Sequence, residues 1–170
     1  MSTKTLLSDE VRAFLHHSVS YVAPEEIGSA SFRYFATAIG TGNRLYLDPQ
    51  YARVAGYRDV IAPPTLICET NQYIVGVPDA EGYIGHAWKL PLDFCVRVRG
   101  GNEYEFFQEV YPEDVLHVTW EIVDLIESTT SSGRAMLNVR SVATYTNQRD
   151  ELLARNTESL IYLAPVEDPL

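Results

Sequence analysis

The apolar residues of this chain change their spacing at Leu90, and that change constrains the fold more than any other feature. From there on apolar and polar side chains alternate, with Phe94, Val96 and Val98 interleaved with Cys95, Arg97 and Arg99. Gly100-Gly101 interrupts, and NEYEFFQEV, VLHVTWEIVDLI, AMLNVRSVATYT and LLARNTESLIYL follow, rich in Thr, Val, Tyr and Phe. A period of two predicts half-buried strands, and turn residues at 112–114, 131–133 and 147–150 separate them. Before Leu90 the period is helical. Ser8 reads as an N-cap followed by first-turn acids, with Val11, Phe14 and Leu15 at helical spacing. Phe32, Phe35, Ala36 and Ile39 fall at i, i+3, i+4 and i+7 ahead of a stop at Gly40, and Asp48-Pro49 opens a brief helix that ends by Gly56. The stretch 61–76 reads as an extended entry, a proline-started helix and a glycine exit. Its dense apolar positions, Leu66, Ile67, Tyr73, Ile74 and Val75, predict a well-buried helix. Helices first and then about five strands predict an α+β fold, an antiparallel sheet folded around one helix.

At 170 residues and 46% hydrophobic composition, the chain can bury one core without disulfides, so one domain over 1–170 is expected. No uncharged run approaches the ~18–20 apolar residues that span a bilayer, and the opening MSTKTLLSDEVRAFL lacks the apolar centre of a signal peptide. The expectation is a soluble cytoplasmic protein with no membrane partner. Cys68 and Cys95 form no CxxC, and His16, His17, His86 and His117 show no ligand spacing, so no metal is expected. The net charge of −10 repels a phosphate backbone, which argues against nucleic acid. That charge is uneven: residues 1–100 hold ten acids and nine bases, residues 101–170 thirteen and four. An anionic ligand is therefore expected on the N-terminal portion. Eleven of the thirteen bases are Arg, suited to bidentate contact with phosphate or carboxylate.

One constellation carries chemistry. A helix ending in Ala38-Ile39-Gly40 leads to Asn43, Leu45-Tyr46, the short helix at Asp48-Pro49, and then Ala62-Pro63-Pro64-Thr65. The later GGNEYEFFQEVYPEDVL and TYTNQRDELLAR complete a pattern over roughly residues 25–163. This pattern resembles the MaoC-like enoyl-thioester hydratases and hydroxyacyl-thioester dehydratases, and within them the FAS1-like, N-terminal dehydratase branch. The resemblance implies a single hot-dog fold, in which an antiparallel sheet wraps a central helix. It also implies an acyl thioester of coenzyme A or of an acyl carrier as substrate, with no separate cofactor.

Hydrating a 2-enoyl thioester requires a base for water, an acid for the α-carbon and donors for the developing enolate oxygen. Catalytic members of the resembled family place an Asp and a His in a Gly-Asp-x-Asn-Pro-x-His loop. Here Gly40 and Asn43 match it, but Thr41 stands at the Asp position, Arg44 at the Pro position and Tyr46 at the His position. An unperturbed tyrosine titrates near ~10 and threonine is no base, so a catalytically silent loop is expected.

The resemblance places substrate contacts at Asn43, Ala62, Pro64, Thr65 and Leu66, where unpaired amides of a helix start could hold a thioester oxygen. Tyr83, His86 and Trp88 are candidates for an acyl pocket, and Arg97 and Arg99, two apart on a strand, for coenzyme A phosphates. Glu103 and Glu105 read as exposed. One hot dog without its catalytic pair is half an active site, so the expected partner is a second MaoC-like chain bearing the Asp and His. That makes this chain the substrate-shaping subunit of a heteromeric (R)-specific 2-enoyl-CoA hydratase or 3-hydroxyacyl-thioester dehydratase. Two other readings stay open: a homodimer that binds acyl thioesters without turnover, and a divergent reaction using Tyr46, Asp48 or His86.

Overall fold

The computed structural model describes residues 5–80, 82 and 84–166. The elements run α1 (Asp9–Arg12), β1 (Ser18–Val22), α2 (Gly28–Ala38), a 3-10 turn (Arg44–Tyr46), α3 (Pro49–Val54) and α4 (Leu66–Glu69). Then come β2 (Val96–Phe106), β3 (His117–Thr129), β4 (Ala135–Thr146) and β5 (Leu152–Leu163). All pairings are antiparallel, in one five-stranded sheet of order β1-β3-β4-β5-β2.

The first three helices follow from their local signals. Ser8 Oγ accepts from Val11 N, Asp48 accepts from Gln50 N and Tyr51 N, and Gly40 (φ +70°) and Gly56 (φ +98°) turn the chain out after α2 and α3. The helix expected over the Pro-Pro segment is different. It closes a single turn, Leu66–Glu69, and Val75, expected inside, is 74% exposed, whereas Tyr73 is buried. Three local features stop it. Thr70 Oγ1 takes the Leu66 carbonyl (2.8 Å), Asn71 adopts φ +51°, and a β-branched pair follows at 74–75.

The strand count is as expected but its members are not. β1, five residues long, is too short for a periodic signal, while the two runs flanking Gly100-Gly101 are one strand. A register slip between Arg99 and Gly101 absorbs the interruption as a bulge. Glycine is needed there because a Cβ on Gly100 would lie 3.1 Å from both Ile161 Cδ1 and the Ser159 carbonyl oxygen.

Burial along β4 alternates from Ala135 to Tyr145, as a period of two requires. Its inner face (Leu137, Val139, Ala143, Tyr145) joins Val118, Trp120 and Ile122 of β3 in one core cluster with Phe32, Leu66, Ile67 and Tyr73. The opposite face carries Ser20, Thr119, Glu121, Arg140 and Thr144 and is suited to water. What lacks a partner is an edge. β2 ends the sheet with eleven residues, and Val96, Val98 and Phe106 on it are each more than 40% exposed.

Two segments of the sequence pattern, YPEDV and TNQRDE, prove to be one clasp. Asp114, fully buried, accepts from Tyr111 N (2.8 Å), Arg149 Nη2 (2.8 Å) and Asn147 Nδ2 (3.2 Å). Gln148 Oε1 accepts from Val115 N and Gln148 Nε2 donates to the Glu113 carbonyl. The same loop holds the start of α2, since Ile27 N and Gly28 N donate to the Asp114 and Pro112 carbonyls. These residues secure the β4–β5 turn against the entry to β3 and α2.

Candidate functional site

Segment 61–64 is the hub of the site. Ile61 N donates to the Leu45 carbonyl (3.1 Å) and Ala62 N to the Val110 carbonyl (2.9 Å), so one extended stretch ties the 41–46 loop to the chain beyond β2. A cleft of about 230 Å³ opens there, lined by Ile61, Ala62, Pro64 and residues Phe106–Val110. Two of the expected substrate contacts, Ala62 and Pro64, thus lie together on its wall, and the exposed rings of Phe106 and Phe107 supply an apolar side that sequence reading did not single out.

Two polar side chains of the 41–46 loop, Thr41 and Asn43, serve its own backbone. Thr41 Oγ1 accepts from Asn43 N (3.3 Å), and Asn43 Oδ1 caps the 3-10 turn by accepting from Leu45 N (3.1 Å). Asn43 therefore acts as a cap. Asp48 is equally engaged: Arg44 Nη2 meets Oδ2 at 2.6 Å while Oδ1 caps α3. The Arg44 bond, then the Tyr51 amide, hold its carboxyl below the usual range. At the start of α4, Leu66 N already donates to the Pro63 carbonyl, and Thr65, its N-cap, makes no side-chain capping bond. Among the described residues lining the cleft, Glu109 is the one carboxylate, exposed and with no histidine or second acid in the lining. A hydration needs a base and an acid in concert, and this cleft offers no such pair.

His86 and Trp88 meet each other but do not line the cleft; Tyr83 lies outside the described residues. The His86 ring stacks on Trp120 (centroids 4.9 Å apart, 16°), stands edge-on to Trp88 at 4.3 Å, and its Nδ1 is 2.8 Å from the Tyr21 hydroxyl. Trp88 Nε1 donates to Ser141 Oγ (2.7 Å). His86 Nε2 is buried with no partner among the described residues, and burial lowers the imidazole pKa to about 4. This is a core aromatic group with a stability consequence. Between the ordinary value of 6.5 and about 4, the unfolded chain binds a proton that folded His86 refuses. Stability present above pH 6.5 is then lost as pH falls through that window, by on the order of 1–2 kcal/mol once partial exposure is allowed for. Denaturant midpoints measured from pH 7 to pH 4 should show the fall, and His86→Phe should flatten it; an unchanged slope in that variant contradicts the assignment.

The two strand arginines part company. Arg99 is held by Glu158 (3.4 Å) and Glu69 (3.9 Å), and Glu69 also takes the Tyr104 hydroxyl. Arg97 lines a second cavity of about 500 Å³ with Lys89 and Tyr162. Among the described residues, no group of three or more His, Cys, Asp or Glu is placed to hold a metal ion. No helix of the described residues is long and apolar enough to cross a membrane.

Comparison with known proteins agrees with this architecture. The profile of the FAS1-like dehydratase domain region matches residues 16–156. The chain belongs to this FAS1-like dehydratase family. Among its relatives is a UPF0336 protein of Parafrankia sp., 31% identical over 148 residues, covering 87% of this chain and 91% of that one. A probable enoyl-CoA hydratase alpha subunit of Thermomonospora curvata is 26% identical over 140 residues, covering 78% of this chain and 44% of that protein. In structure, the fold matches a chain of the ChsH1-ChsH2 complex of Mycobacterium tuberculosis with a TM-score of 0.72 at 18% identity, covering 89% of this chain and 86% of that one. A chain of the HadBC (3R-hydroxyacyl-ACP dehydratase) complex of the same organism matches at 0.60 and 20%, covering 85% and 96%. The FAS1-like dehydratase chain therefore has the hot-dog fold of these chains, with the helix after Pro63-Pro64 closing a single turn.

Proposed function

We propose that this chain is the non-catalytic, substrate-shaping subunit of a heteromeric (R)-specific 2-enoyl-CoA hydratase or 3-hydroxyacyl-thioester dehydratase. Its partner is a second MaoC-like hot-dog chain that brings the Asp and His. The observation that carries this reading is the 41–46 loop, where Thr41 and Asn43 serve backbone caps and Tyr46 replaces the acid-base residue. Three further features support it. The β2 edge, eleven residues long with exposed valines, presents unpaired backbone groups that another sheet can extend. The single-turn α4 leaves 70–80 and 84–93 in irregular chain where a long helix would fill the sheet, which suits a bulky acyl group. Both solved relatives named above come from complexes of two differently named proteins. The thioester of coenzyme A or of an acyl carrier is the substrate, and no other cofactor is invoked.

The reading is tested in a reconstituted complex with a hot-dog chain carrying the intact loop. Thr41→Val with Tyr46→Phe in this chain should leave 2-enoyl-CoA hydration within twofold, because neither group transfers a proton. A loss of a hundredfold or more, the scale of a missing general acid or base, would place chemistry in this chain instead. A divergent reaction at Asp48 or His86 has less support, since the first is bound by Arg44 and the second is stacked in the core. A homodimeric acyl-thioester binder would use the same β2 edge and differs in staying a homodimer that gives no gain in turnover when the second hot-dog chain is added.

A further inference from the structure

The cavity of about 500 Å³ at the entry to β2 is unlike the rest of the surface. Lys89 and Arg97 line it with the Tyr162 hydroxyl and Cys95, and Asp93 is the lining's one carboxylate. Arg44, Arg53, Arg58, Arg99, Arg149 and Arg155 are each ion-paired, whereas no carboxylate lies within ion-pair distance of Lys89 or Arg97 among the described residues. Arg12, Arg33, Arg134 and Arg140 also make no ion pair among the described residues; what sets Lys89 and Arg97 apart is that both line one cavity, against a single carboxylate, Asp93. Arg134 adds to the local positive field. Its Nε donates to the Ala164 carbonyl (2.9 Å), and its charge is felt at Cys95. Arg97 is the cross-strand neighbour of the buried Tyr162, and the phenol presents a hydroxyl next to the guanidinium.

We propose that this cavity is a phosphate site, taking the phosphate end of a phosphopantetheine-linked acyl carrier. Guanidinium, ammonium and phenol together match the acceptor oxygens of a phosphate ester, as the apolar cleft at Pro64 does not. Position along the strand gives the site a role that rests on the subunit reading above. Arg97 and Phe106 sit at opposite ends of β2, about 30 Å apart at ~3.3 Å per residue, so a phosphate held at Arg97 lies far from this chain's own cleft. An antiparallel partner on the β2 edge would place the far end of its own β2, and the residues beyond it, next to Arg97. The carrier held here would deliver its acyl group to the partner's catalytic loop.

The test uses the full chain alone, titrated calorimetrically with coenzyme A and with inorganic diphosphate. Coenzyme A should bind, compete with diphosphate, and be at least tenfold the tighter of the two. Lys89→Gln with Arg97→Gln should weaken it at least tenfold, while the charge-matched Arg33→Gln with Arg140→Gln stays within twofold; unchanged thermal midpoints establish that all variants fold. No binding at millimolar coenzyme A, or equal weakening by the control pair, overturns the site. Equal affinity for diphosphate and coenzyme A overturns the carrier assignment. In an active complex the Lys89/Arg97 variant should raise KM at least tenfold with kcat within twofold, and an unmoved KM refutes the delivery role. An inactive complex whose lone subunit still binds coenzyme A would refute the subunit reading and leave the phosphate site standing.

Discussion

Asp114→Ala is expected to destabilise the protein by about 3 kcal/mol, most of it from donors left without an acceptor. Asp114 is fully buried and receives the Tyr111 amide, the Asn147 amide group and the Arg149 guanidinium on its two oxygens. Alanine removes all three bonds and returns none. Asn147 is itself buried, so its Nδ2 would be left with Glu151 alone, and Tyr111 N would face an apolar methyl. The damage should spread, because the Asp114 and Pro112 carbonyls seat the first residues of α2, whose Phe32 is wholly buried. The adjacent Glu113 is the natural control. Its ion pair with Arg58, at 2.7 Å, has both side chains about half exposed, and Glu113→Ala should cost less than about 1 kcal/mol. Urea denaturation of the two variants makes the comparison directly. If Asp114→Ala is no worse than Glu113→Ala, the clasp does not hold the fold as described.

The extent to which sequence disclosed this molecule follows from how local each determinant is. Ser8, Asp48-Pro49 and the Phe32/Ala36 stripe act within one or two turns, so their helices were readable. Strict alternation made β4 readable for the same reason, since each residue reports its own face. The Pro-Pro helix misled because apolar density says that a segment is buried without saying how long it stays helical. Tyr73 is buried from irregular chain, not from a helix. β1 is only five residues with two serines, too short for a periodic signal. The glycine pair in β2 read as a break because its reason, the approach of Ser159 and Ile161, lies across the sheet.

The site divides along the same line. That the 41–46 loop lacks an Asp and a His is a fact of composition, and the structure adds that Thr41, Asn43 and Arg44 are occupied by local bonds. Arg97 and Arg99 were indistinguishable by spacing, yet one faces carboxylates from α4 and β5 and the other lines an anion-suited cavity. No local pattern marks Glu69 and Glu158 as neighbours of a residue on β2. The Asp114 clasp was visible only as two unrelated motifs, because 33 residues separate Asp114 from Asn147.

The second large effect concerns activity. A cleft with apolar walls, a single exposed Glu109 and a loop of backbone caps has no pair to transfer protons at water and at the α-carbon. Losing such a pair lowers a rate by at least about a thousandfold. The most direct measurement is hydration of a 2-enoyl-CoA by this chain alone, by a hot-dog chain with an intact Gly-Asp-x-Asn-Pro-x-His loop, and by the two together, at equal concentrations. This chain alone should give no turnover above background, and the mixture should hydrate bulky enoyl groups at least tenfold faster than the partner alone. Turnover by this chain alone at the rate of the mixture would contradict the subunit role.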